Sequence, residues 1–61
     1  PVLDDPDTYR LWQALGHDPT GMDDLLARTG LTAATVSSIL LALELEGRVA
    51  AEHGRFSRVG V

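Results

Sequence analysis

Three of this chain's five cationic side chains stand close together near its end. They are Arg48, Arg55 and Arg58, with Glu52 the one acid between Gly47 and Val61, a local balance of +2. Arginines in such a group donate charge-assisted hydrogen bonds to phosphate or carboxylate oxygens. The whole chain points the other way, because nine carboxylates against five arginines and no lysine leave a net charge of −4. A chain-wide basic footprint of the kind that drives strong non-specific nucleic-acid binding is missing. Asp4, Asp5, Asp7, Asp18, Asp23 and Asp24 fall at helix starts and turns, where capping and the helix dipole account for them. His17 precedes Asp18-Pro19 in a turn. With no cysteine in the chain there is no disulfide, and His17 and His53 lack the partners of a structural zinc site. No glycine-rich phosphate loop, nucleophile elbow or metal-ligand spacing occurs. The expectation is a domain that is not an enzyme and takes no cofactor or metal.

The elements that must position these groups are read from pattern. Residues 1–5, acidic and bracketed by Pro1 and Pro6, read as the end of a linker. A chain opening on Pro1 rather than Met is expected to be a segment of a longer protein. Asp5-Pro6-Asp7 has a capping acid, proline at the first helical position and an acidic first turn, so helix one is predicted over 6–15. Leu11, Trp12 and Leu15 share a face, with Thr8 and Tyr9 a turn earlier. Gly16 is expected to supply a left-handed exit. Thr20 reads as the next N-cap, with Asp23 three residues on, and helix two is predicted over 21–29, stopping at Gly30. Thr32 caps helix three, predicted over 32–46, whose inner stripe is Val36, Ile39, Leu40 and Leu43 and which Gly47 ends. After Gly47 the period changes, and Val49, Ala51, His53-Gly54, Phe56 and Val59 predict a β-hairpin over 48–59.

Sixty-one residues close one small core, and a 44% hydrophobic content with one Trp, one Tyr and one Phe makes that core aliphatic. Three helices, a very short turn between the second and third, and a terminal hairpin give a mainly α, small α+β fold class. This is the order of a winged helix, a three-helix helix-turn-helix bundle plus a two-stranded wing, over residues 6–61. Leu25, Leu31, Val36 and Ile39 stand around Gly30 where two such helices pack. A recognition helix reads bases from its start, yet helix three holds no Arg, Lys, Asn or Gln between Thr32 and Gly47, and only hydroxyls such as Thr35 and Ser38 could reach DNA. Its outer face carries Ala34, Ser38, Leu41 and Leu45. Two readings stay open there: Leu45 tucks under the hairpin and Leu41 meets helix one, or the stripe contacts a protein, either a second copy or another domain. Two also stay open for the wing, with Arg55 near its tip and Arg58 at its far end beside His53. The arginines guard an edge strand, or they hold a phosphate backbone weakly without sequence preference. No apolar run approaches a membrane span and no signal-peptide pattern opens the chain, so a cytoplasmic domain without membrane contact is expected.

The runs Leu15-Gly16-His17-Asp18-Pro19, Thr29-Gly30-Leu31-Thr32, Val36-Ser37-Ser38-Ile39-Leu40-Leu41-Ala42-Leu43-Glu44-Leu45-Glu46-Gly47 and Gly54-Arg55-Phe56 resemble the C-terminal winged-helix domain of the DNA processing protein DprA (Smf) family. The resemblance implies a part in natural transformation, in which such proteins bind and protect incoming single-stranded DNA and load RecA onto it. In that family this work belongs mainly to a Rossmann-like domain that this chain does not contain. The winged helix is the accessory part, implying weak DNA contact, dimerisation or partner contact. A winged-helix transcriptional regulator and a purely structural oligomerisation module are the alternatives.

Overall fold

The computed structural model describes residues 5–59. Its elements are α1 (Pro6–Ala14), β1 (Thr20–Gly21), α2 (Met22–Thr29), α3 (Ala33–Leu45), β2 (Val49–Glu52) and β3 (Arg55–Arg58). The predicted residues 1–4 of the linker lie outside the described residues. Each helix is one or two residues shorter than the hydrophobic pattern implies, with the extended residues Leu15, Gly21 and Thr32 and the cap residue Glu46 falling outside.

Local chemistry sets most of these boundaries. Asp5 is extended, and its carboxylate accepts from the Thr8 N–H at 3.0 Å and the Thr8 hydroxyl at 3.1 Å, with Pro6 opening the helix. Gly30 takes φ 72° and donates its N–H to the Leu26 carbonyl, which stops α2. Thr32 then accepts from the Thr35 N–H, and only three residues separate the end of α2 from the start of α3. The chain bends by 110° between these two helices, the corner of a helix-turn-helix. At the far end of α3, Gly47 (φ 74°) donates to Glu44 and Arg48 donates to Leu43, so two orphan carbonyls are satisfied in a Schellman turn.

Two expectations about caps fail. Gly16 is not left-handed, because Leu15 leaves the helix in an extended conformation that keeps its side chain in the core. Thr20 does not cap α2. It is buried in β1 opposite Phe56, and its hydroxyl donates to the Asp18 carbonyl at 3.3 Å, so Gly21 becomes the N-cap without any side-chain bond. The wing is accordingly a three-stranded antiparallel sheet of order β1-β3-β2, where a two-stranded hairpin was expected. In β2 and β3 the register pairs Val49 with Arg58 and Glu52 with Arg55.

The core lies between the helices and the sheet. Leu11, Leu15, Leu25, Val36, Leu40, Leu43 and Val49 are buried, with Trp12, Ile39 and Phe56 packed around them. At about 25 cal/mol per Å² of apolar surface removed from water, these aliphatic side chains supply the main drive to fold. The inner stripe of α3 is the predicted one. Its outer side is not covered: Leu41 is 58% and Leu45 80% exposed, so Leu45 does not tuck under the hairpin and Leu41 does not pack on α1. No single helix among the described residues is long and apolar enough to cross a membrane.

Candidate nucleic-acid interface

The five arginines divide by what the backbone asks of them. Arg10 donates to the Thr29 carbonyl at 3.4 Å and Arg28 to the Ala14 carbonyl at 3.1 Å, so each ties one helix of the α1–α2 pair to the end of the other. Both satisfy carbonyls that a helix terminus leaves without an internal partner.

Arg58 is committed in the same way, and more fully. Its Nη2 donates to the Trp12 carbonyl at 2.6 Å, and its guanidinium carbon lies 4.5 Å from the centroid of the Trp12 ring. The backbone follows the side chain, since the Arg58 N–H donates to the Gly16 carbonyl at 2.8 Å. A cation stacked on an indole and bonded to a carbonyl has given up much of its capacity to bind phosphate. Its Nε is buried without a partner, which marks the group as held by packing rather than presented to solvent. Arg58 thus acts as a strut between the wing and α1, with less of its guanidinium free than Arg55 has. It is also not beside His53, which stands in the turn at the opposite end of β3. A signal for this was present: β3 side chains alternate, so Arg58 shares the inward face of Phe56, two residues earlier.

Arg55 sits on the other phase of the alternation, next to the turn. His53 (φ 53°) and Gly54 (φ 76°) both have positive φ, the type I′ geometry that joins twisted strands through two residues. The turn sets Arg55 at the tip, exposed and with no hydrogen-bond or ion-pair partner among the described residues. Beside it a concavity of about 630 Å³ is lined by His53, Arg55 and the first-turn acids Asp23 and Asp24 of α2. Those carboxylates oppose an anion entering from that side. Arg48 stands between the two cases. Half exposed, its Nε is 3.4 Å from a carboxylate oxygen of Glu46, an exposed pair worth little that a phosphate can replace.

On α3, Thr35 is half-buried, and its hydroxyl accepts from the Thr32 hydroxyl at 2.9 Å inside the helix cap. Ser38 is exposed, in a stripe with exposed Ala34, Leu41 and Leu45. The structure thus leaves Arg48, Arg55 and Ser38 exposed and holds Arg58 against Trp12. It does not bring the wing arginines and the α3 hydroxyls into one cluster. Trp12, the partner that holds Arg58, carries a role that composition alone does not reveal.

A helix-turn-helix with a sheet packed after its third helix, the third strand coming from the α1–α2 connection, is a winged helix. The family model for the DprA winged helix domain matches residues 1–55, and the chain belongs to that family. The match ends at Arg55, before the strut arginine Arg58. No curated protein matches the chain significantly.

Proposed function

We propose that this domain is the accessory winged helix of a DprA-type DNA processing protein working in the cytoplasm in natural transformation. There it adds weak, sequence-independent contact to the DNA backbone. Protection of incoming single strands, RecA loading and the recombination that follows are work of the whole protein, and the reading assigns no catalytic step to this domain. The observation that carries the DNA contact is Arg55, an exposed guanidinium without a partner among the described residues at the tip of the wing. Arg48 is the second contact once it leaves Glu46. Base reading by α3 has little support, because hydroxyls without a bidentate Arg, Asn or Gln discriminate weakly. A winged-helix transcriptional regulator is disfavoured for the same reason.

Two phosphate contacts give a shallow salt dependence, with log K falling at about 0.7–0.9 per contact against log salt. Titration of the domain with labelled single- and double-stranded DNA at low and physiological salt tests this. Salt-labile binding without sequence preference, lost in Arg55→Glu, is expected. Undetectable binding at low salt, or binding that survives reversal of both Arg48 and Arg55, would overturn the reading.

A further inference from the structure

A second hollow, of about 290 Å³, lies at the base of the wing, at the opposite end of β3 from the Arg55 tip. Trp12, His17, Arg48 and Arg58 line it, and they come from four separate segments of the chain. Two backbone bonds tie three of those segments together. The Arg58 N–H donates to the Gly16 carbonyl at 2.8 Å, which brings the His17 turn to β3, and the Val59 N–H donates to the Arg48 carbonyl at 2.9 Å. The fold thus builds the hollow before any ligand arrives, as small-molecule sites usually are built.

Its lining contrasts with that of the concavity at the tip, where Asp23 and Asp24 stand beside Arg55. In a chain of net charge −4, no acid lines the basal hollow among the described residues, whereas two of the five arginines do. Every polar side chain in the lining is a donor. Both guanidiniums and the Trp12 indole offer only N–H groups, and the neutral His17 ring still offers one. Arg58 is held by an uncharged carbonyl and an aromatic ring, neither of which cancels its charge. Arg48 reaches Glu46 at 3.4 Å with both side chains half exposed, so solvent screens the pair and an incoming anion competes for it. We infer that this hollow binds the phosphate of a phosphate monoester, with Arg48 donating to its oxygens beside the fixed positive charge of Arg58. A monoester phosphate carries about −1.5 to −2 charge at neutral pH, which suits two guanidiniums. A diester carries a single charge and brings a second substituent into a hollow at the small end of the usual range for ligand sites.

A free phosphate ester and the 5′ end of a DNA strand present this same group. The inference does not depend on the backbone contact at the wing tip, because Arg55 is no part of the basal hollow. One exposed guanidinium and one fixed charge give a modest affinity, with a dissociation constant of about 1–5 mM for the phosphate group alone.

Heteronuclear NMR titration of this chain at constant ionic strength and slightly alkaline pH tests the site, with glycerol 3-phosphate as the probe and dimethyl phosphate as the diester control. The same spectra confirm that each variant is folded. The indole N–H of Trp12, the only tryptophan, and the backbone N–H groups of Gly47, Arg48 and Val59 should shift saturably. The diester should bind at least about fivefold more weakly than the monoester. Arg48→Ala should weaken monoester binding about fivefold, and Glu46→Gln should tighten it about twofold by releasing Arg48. Arg10→Ala, which removes the same charge away from the hollow, should leave it unchanged. Oligonucleotides with and without a 5′ phosphate, titrated in the Arg55→Glu background, separate the two sources. Binding of the phosphorylated strand no tighter than that of glycerol 3-phosphate assigns the free ester, and binding at least about tenfold tighter, lost without the 5′ phosphate, assigns the strand end. No saturable shift up to about 50 mM probe, equal affinity for the diester, or equal losses in Arg10→Ala and Arg48→Ala would each overturn the inference.

Discussion

At the tip of the wing Arg55 extends into solvent, whereas three residues on, at the base of the same strand, Arg58 lies on the Trp12 ring and donates to a main-chain carbonyl. The residue type is the same and the spacing is a single odd number. Strand alternation sends the two guanidiniums to opposite faces of a three-stranded sheet. One face looks at α1 and the other at water. An arginine count therefore overstates what this wing can offer to a phosphate, since identical side chains serve as adhesive on one phase and stand free in solvent on the other.

The contrast can be broken by substitution, and urea unfolding followed by circular dichroism ranks the effects. Trp12→Ala should cost most, about 2–3 kcal/mol, because it removes a half-buried ring from the core edge together with the platform of Arg58. Arg58→Ala should cost about 1–2 kcal/mol through lost packing and the orphaned Trp12 carbonyl, and in combination with Trp12→Ala the losses should fall short of additive. Gly54→Ala should cost about 1 kcal/mol, since φ 76° strains any side chain although open space surrounds the site. Arg55→Ala should change stability by less than about 0.5 kcal/mol, as expected of an exposed side chain without a partner. A large loss from Arg55→Ala, or none from Arg58→Ala, would collapse the distinction between tip and base.

The parts of the fold that were legible in the sequence are those that local chemistry dictates. Asp5-Pro6, Thr32, Gly30 and Gly47 act within one helical turn, and each performs the cap or stop its residue type implies. The inner stripe of α3 was legible for a similar reason, because a 3.6-residue period survives over thirteen residues. β1 was not, since two residues show no alternation, and Thr20 is as good a cap on paper as it is a strand residue paired with Phe56. The site divides along the same line. Arg55 at the tip followed from the two-residue turn, while the commitment of Arg58 required its contact with Trp12, 46 residues away in sequence. The exposure of Leu41 and Leu45 was equally out of reach, because whether a second apolar face is covered depends on where the sheet ends and not on the helix.

The central claim is that the wing tip, not the wing base or α3, is where this domain meets DNA. Its most direct test is the salt dependence of DNA affinity measured on the parent chain, Arg55→Ala and Ser38→Ala. The account predicts a slope of log K against log salt that is shallower by about 1 in Arg55→Ala and unchanged in Ser38→Ala. An unchanged slope in Arg55→Ala, with affinity lost in Ser38→Ala and a preference for one duplex sequence, would contradict it.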